Sequence, residues 1–173
     1  MDKLYEHSWQ AVGLSSDPSI MRDPISLHMQ NYLKWGSRYS GSHLVVVDDC
    51  LQAYTYIARR GFSEWAAREE VERKGMRKLR DLAAIARACN LKNISFSPLS
   101  SILRKGHAIE KSITSLYHSD HCVHEEVLAA LPERFCSSLC DSFAPYVIGE
   151  TAMMLQLGGT RISHSKQSQR TVN

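Results

Sequence analysis

The stretch Tyr146-Val-Ile-Gly-Glu150 sets a phenol and a carboxylate four residues apart among apolar neighbours. On a helix, positions i and i+4 share a face, so the two groups project together. A carboxylate on an apolar face must find a partner, lose its charge or line a site. The plain alternative is a surface glutamate beside a half-buried tyrosine. A second candidate is Gly13-Leu14-Ser15, at the end of the apolar run from Trp9 to Ser16. That run predicts a strand passing into a turn, and open α/β sheets bind ligands at the C-terminal ends of their strands. It is no dinucleotide fingerprint, and a nucleophile elbow would need glycine where Asp17 stands. Ser15 by itself also suits a turn or a helix cap.

The third candidate is a row of cations. Arg73, Arg77 and Arg80 follow at i, i+4 and i+7, with Lys74 and Lys78 on the adjoining stripe. Met76, Leu79, Leu82, Ala83 and Ala86 are expected on the opposite side, which makes an amphipathic helix with five cations outward. Glu69, Glu70 and Glu72 precede the row, and it is expected to carry no acid of its own. Such a face is either ordinary solvated surface or a match for a phosphate backbone, where arginine adds bidentate geometry.

Two further groupings carry weaker signals. His118, Asp120, His121, Cys122 and His124 crowd into seven residues, but their spacing fits no standard zinc motif. A polar loop and helix start is the expectation there, and no metal. Asp48 and Asp49 end an apolar strand, where an acid can hold a ribose, but no glycine-rich phosphate loop accompanies them.

These groups need elements to hold them. Residues 25–39 have helical spacing, and His43–Asp49 is a β-branched run suited to a strand buried on both faces. A helix over Leu51–Arg60 closes at Gly61, and a long one runs from an N-cap at Ser63 to about Cys89. Asn93–Leu99 reads as a third strand, followed by helices over about Gly106–Tyr117 and His124–Leu139. Pro145 then starts or kinks the helix carrying Tyr146 and Glu150. Strands alternating with helices predict a Rossmann-like α/β domain with an open parallel sheet flanked by helices.

The totals frame this reading. With 173 residues, 43% apolar and 23% charged, one globular domain over 1–159 is expected. The tail 160–173 is polar and holds Arg161, Lys166 and Arg170 without an acid, which accounts for the whole net charge of +3. It is expected to be flexible. Since the rest balances, any polyanion site must come from local clustering. There is no apolar run long enough for a membrane span, and "MDKLYEHSW" lacks the apolar core of a signal peptide. Five cysteines form no disulfide framework, so a cytoplasmic protein is expected. Oligomeric state is not legible.

Taken in order, the residues resemble the tRNA-dependent cyclodipeptide synthases, whose fold is like the catalytic domain of class I aminoacyl-tRNA synthetases. The resemblance rests on Gly13-Leu14-Ser15, on "VVVDD", on the helix pair "CLQAYTYIARRGFSEWAAREEVERKGMRKLRDL" and on Tyr146-Val-Ile-Gly-Glu150. It implies that Ser15 is a nucleophile storing an aminoacyl ester. Tyr146 and Glu150 would hold the α-amino group, with Glu150 in proton transfer. Ala11, Gly13 and Met153 would fall in the first aminoacyl pocket. Arg73, Lys74, Arg77, Lys78 and Arg80 would engage the tRNA. Two aminoacyl-tRNAs would be joined into a cyclic dipeptide, with neither ATP nor metal, because the substrate is already an activated ester. In two places the sequence departs from the family: Pro18 stands where an asparagine is usual, and no tyrosine follows Tyr146, so that Ser163 in "RISH" would replace a second catalytic tyrosine. A divergent branch, such as the fungal arginine-using one, a truncated gene product and an inactive relative all remain open. An RNA-binding relative without turnover and a nucleotide- or methyl-donor-binding Rossmann enzyme are the rival readings.

Overall fold

The computed structural model describes residues 5–13, 27–132, 135 and 140–158. Three strands, β1 (Tyr5–Val12), β2 (Ser40–Val47) and β3 (Ile94–Pro98), form a parallel sheet in the order β1-β2-β3. Tyr5 pairs with Ser40 and Val12 with Val47, while His43 to Val47 pair with Ile94 to Pro98. The central strand is the apolar run read from the sequence. Val45, Val46 and Val47 are buried, as a strand covered on both faces requires.

Seven helices among the described residues cover the two faces. They are α1 (Leu27–Tyr39), α2 (Gln52–Arg60), α3 (Glu64–Ala88), α4 (Leu99–Lys105), α5 (His107–Ser119), α6 (His121–Ala129) and α7 (Cys140–Leu157). Val12, Val45 and Val47 pack with Leu33 of α1, Ala53 and Tyr56 of α2, and Ala67, Val71, Leu79, Leu82 and Ile85 of α3. Trp9 and Val46 pack on the other side with Leu99, Ile102, Tyr117, Val127 and the apolar residues of α7. Each such side chain contributes roughly 1.5–3 kcal/mol when removed from water. Period-two alternation along the strands feeds the two cores separately.

Local signals set most boundaries. Ser63 Oγ accepts from the Ala66 N–H at 3.3 Å, and Gly61 closes α2 with φ of 65°. The left-handed region at that cap favours glycine. Three expectations are corrected. Pro145 does not start the helix that carries Tyr146 and Glu150, because α7 begins at Cys140 and holds it inside. The helix expected over His124–Leu139 is α6, beginning at His121 and ending at Ala129. The strand expected to run to Leu99 ends at Pro98, and Leu99 instead opens α4, which lies between β3 and α5. Its seven residues are too few to show a helical period. The fold class is the expected one: α/β, with an open parallel sheet flanked by helices.

Candidate active site at the strand ends

The C-terminal ends of β1 and β2 gather α2, α3, α4 and α7 around them. Asp48 Oδ1 accepts from the backbone N–H groups of Cys50, Leu51 and Gln52 at 3.1, 2.8 and 3.4 Å, so it caps α2. Burial outweighs those bonds and pushes its pKa up to about 6. Asp49 is buried, with Oδ1 on the Ser100 N–H at 2.8 Å and Oδ2 on the Ser100 hydroxyl at 2.6 Å. Its carboxylate thus stabilises the start of α4. Both acids of the ribose reading are committed to the protein's own donors. Burial and the two adjacent carboxylates push the Cys50 thiol up, which leaves it a poor nucleophile.

Gly75 explains how α3 approaches so closely. A Cβ there would stand 2.6 Å from Asp49 Cβ and 2.8 Å from its Cα. Gly149 has the same purpose in α7, since its Cβ would meet Leu51 Cδ2 at 2.7 Å. Glycine at these two points lets helices from opposite faces converge on one sheet end.

On α7, the Tyr146 hydroxyl donates to Glu150 Oε1 at 3.1 Å. The i, i+4 spacing therefore produces the contact expected of it. Tyr146 is buried, its ring 5.3 Å from that of Phe135, and it shares a packed cluster with Trp9, Val46 and Met153. Glu150 is only partly buried. Among the described residues, this phenol is its one hydrogen-bond partner, which leaves acceptor capacity free. Ala11 lies two residues after Trp9 on β1 and so shares its face, the side of α7, and it is exposed, as is Gly13. Met153 is buried in the core cluster. Ser15 lies outside the described residues, two positions beyond Gly13.

The cations of α3 divide into two sets. Arg73, Arg77 and Arg80 are exposed, whereas Lys74 and Lys78 are partly buried. Arg73 donates to Glu70 Oε2 at 2.7 Å, and Lys74 pairs with Glu70 Oε1 at 2.9 Å. The expectation of a row without acid is therefore wrong, because Glu70 lies one turn before both cations and reaches them. Exposed pairs of this kind contribute about 0–1 kcal/mol. Lys74 also donates to the Tyr56 hydroxyl at 2.8 Å, and its Nζ lies 5.1 Å from the ring centroid. Met76 is corrected too: it is 44% exposed. It lies about 40° around the helix from Arg80, on the outer face.

Lys78 is the larger departure. It follows Val71 by seven residues and so lies within about 20° of that buried side chain. Its Nζ donates to the Gly13 carbonyl at 2.7 Å. Helical arithmetic alone indicates its inward direction. Only the tertiary structure supplies the carbonyl that it meets.

The histidine-rich segment is used otherwise. Asp120 caps α6 by accepting from the Cys122 and Val123 N–H groups, and His124 stacks on Tyr117 at 4.6 Å. Among the described residues, no three His, Cys, Asp or Glu side chains are grouped to hold a metal ion. Nor is any described helix long and apolar enough to cross a membrane.

No family model matches this chain, and no curated protein does. Solved structures do. A Mycobacterium tuberculosis cyclodipeptide synthetase, related to type I tRNA synthetases, superposes with a TM-score of 0.63 at 16% identity over 85% of this chain. The chain spans 64% of the length of that protein. AlbC, a cyclodipeptide synthase from Streptomyces noursei, gives a TM-score of 0.57 at 15% identity over 86% of this chain and 74% of its own. A cyclodipeptide synthase from Bacillus thermoamylovorans gives 0.58 at 12% identity, covering 87% of this chain and 67% of its own. At these identities the likeness is one of fold.

Proposed function

We infer that this protein is an aminoacyltransferase that joins two aminoacyl groups, delivered by tRNA, into a cyclic dipeptide. The observation that carries this reading is the Tyr146–Glu150 pair at 3.1 Å on an apolar wall of this fold. A partly open carboxylate held by a buried phenol suits a substrate ammonium, which would complete its pairing.

In the proposed sequence, the Ser15 hydroxyl attacks the ester carbonyl of a first aminoacyl-tRNA. The ester bond to the ribose breaks, the hydroxyl proton ends on the ribose oxygen, and the amino acid is held as a serine ester. Backbone N–H groups in the turn after Ser15 are the proposed oxyanion donors. Tyr146 and Glu150 grip the α-amino group, and Glu150 accepts its proton. For the dipeptide to stay tethered, the loaded amine must attack the ester carbonyl of the second aminoacyl-tRNA, expelling that tRNA. The new amine then attacks the serine ester, which closes a six-membered ring and frees Ser15. Closure gains from proximity, because amine and ester share one short chain. The ester carries its own activation, so this chemistry calls for neither ATP nor a metal. Charged tRNA places the reaction in the cytoplasm.

Ala11, Gly13 and Met153 are proposed to bound the pocket for the first aminoacyl side chain. Arg73, Arg77 and Arg80 offer an exposed basic face to the phosphates, with Lys74 and Lys78 on its inner edge. Intact-mass measurement after mixing with charged tRNA tests the reading. The native chain is expected to gain one aminoacyl mass and Ser15→Ala none. A native chain that binds tRNA yet never gains that mass would instead be an RNA-binding relative without turnover.

A further inference from the structure

One side of α2 carries an open cleft of about 240 Å³, lined by Gln52, Thr55, Tyr56, Arg59 and Arg60. These five positions follow at helical spacing, so a single face of α2 shapes it. Tyr56 is buried and makes the floor, while Arg59 and Arg60 are exposed. Two cations lie against the Tyr56 ring: Arg60 Cζ is 4.7 Å from its centroid and Lys74 Nζ 5.1 Å. Lys74 also donates to the Tyr56 hydroxyl at 2.8 Å. No acid lines the cleft. Glu70, beyond Lys74, is already shared between Arg73 at 2.7 Å and Lys74 at 2.9 Å. Arg68 and Arg73 on α3 each have a glutamate one turn away; among the described residues, neither Arg59 nor Arg60 forms an ion pair.

Two guanidinium groups and an ammonium around a polar cleft without an acid make a site for an anion. The planar fork of arginine matches phosphate oxygens, and stacking on an aromatic ring holds it ready. Position in the fold decides which phosphate. Gln52, at one end of the cleft, lies beside the mouth of β1, since a Cβ on Gly13 would be 3.7 Å from its Nε2. Arg59 is seven residues further along α2, about 10 Å at the helical rise. The cleft therefore runs from the strand ends outward to the guanidinium groups. Resting on the acyl-transfer reading above, we propose that this cleft binds a backbone phosphate of the RNA strand that ends in the aminoacyl ester. Arg59 and Arg60 clamp the phosphodiester oxygens, and the polar side chains of Thr55 and Gln52 line the way to the strand ends. The site is distinct from the row Arg73, Arg77 and Arg80, which belongs to α3; Lys74 joins the two through Tyr56 and Glu70.

The test titrates binding of tRNA, and of a single-stranded RNA oligonucleotide, to the full chain against salt. It compares Arg59→Ala, Arg60→Lys, the double variant Arg59→Ala/Arg60→Ala and Arg104→Ala. Arg104 is exposed on α4, which packs on the other face of the sheet, and controls for loss of charge alone. The slope of log affinity on log salt should fall by about 0.7 in Arg59→Ala and about 1.4 in the double variant, for both RNAs. Arg60→Lys keeps the charge and should keep the slope, as should Arg104→Ala. Arg59→Ala serves alone if the double variant does not fold, because Arg59 is exposed. An unchanged slope in Arg59→Ala, or an equal loss in Arg104→Ala, would overturn the proposal. So would binding of AMP that Arg59→Ala abolishes without altering the tRNA slope, which would make the cleft a site for a free nucleotide. A native chain that binds tRNA with these slopes yet is never loaded would overturn the acyl-transfer reading alone and support the cleft. A native chain that binds no tRNA would overturn both.

Discussion

Asp49 and Glu150 are both carboxylates set among apolar side chains, and the protein satisfies them in opposite ways. Asp49 is 6% exposed, and each of its oxygens accepts from Ser100. Backbone of α3 is packed against it at Gly75. Glu150 is partly buried and takes one bond at 3.1 Å from a phenol that is itself held in the core. One carboxylate is closed by the fold, and the other is aimed by it. A buried carboxylate with both oxygens bonded to the protein's own donors contributes to stability and is not open to substrate. An oriented acceptor with spare lone pairs has such capacity, at little gain to the fold. The same contrast separates Lys74, shared between Glu70 and Tyr56, from Lys78, which has a single carbonyl.

The contrast can be broken most sharply at Glu150. Glu150→Gln is expected to reduce cyclic dipeptide formation by about 10²- to 10⁴-fold, the usual loss for a proton-transfer group. Its stability should stay within about 0.5 kcal/mol of the native chain, as for partly exposed positions outside the core. Mass spectrometry of the product and urea denaturation read the two quantities separately. Undiminished product would place Glu150 with Asp49, as a structural acid.

Asp49→Ala should behave in the reverse manner. Removing the acceptor strands the Ser100 N–H and hydroxyl at the start of α4, for a loss of about 3 kcal/mol in urea denaturation. A loss below about 1 kcal/mol would mean that water replaces the carboxylate, and that this end of the sheet is less closed than Asp49 indicates.

Asp48 sharpens the comparison through pH. Its pKa is pushed up to about 6 from an ordinary value near 3.8. The folded state therefore binds a proton more readily than the unfolded chain between those values. The stability contributed by this group is fully present below about 3.8 and is lost as pH rises through about 6. The slope at any point is at most about 1.4 kcal/mol per pH unit. Asp48→Asn keeps an oxygen to cap α2 and removes the titration. Subtracting its stability curve from the native one should leave a difference confined to that window. Subtraction matters, because His43 titrates in the opposite sense. Burial lowers the His43 pKa, so its contribution is present above about 6.5 and is lost as pH falls. A flat difference curve would show that Asp48 has the same pKa in the folded and unfolded chains, so that its three N–H donors offset the cost of its burial.

How much of this was readable in the residues depends on the range of each interaction. Ser63 as N-cap, Gly61 as C-cap and the Tyr146–Glu150 contact all lie within four residues of their partners, and all were legible. The Glu70 pairs were equally local. A row of cations counted forward from Arg73 leaves out Glu70, which lies one turn before it on the same stripe. Met76 was assigned to the core from its apolar character, though its angle puts it with Arg80. Lys78 shows the converse error, a charged residue assumed to face water when its angle matches that of Val71. In both cases residue type overrode geometry.

By itself, the sequence determined an open parallel α/β sheet, the C-cap of α2 and the N-cap of α3, and a phenol and carboxylate sharing one helical face. These follow from periodicity and from bonds spanning a single turn, which any chain with these residues would form. The tertiary structure decided that Asp49 meets Ser100 across 51 positions, that Gly75 and Gly149 let helices close on the strand ends, and that an ammonium reaches the carbonyl beyond the last rung of β1. Those contacts join residues whose separation along the chain carries no periodic signal. They exist only because two apolar cores, one on each face of the sheet, draw their helices to the same edge.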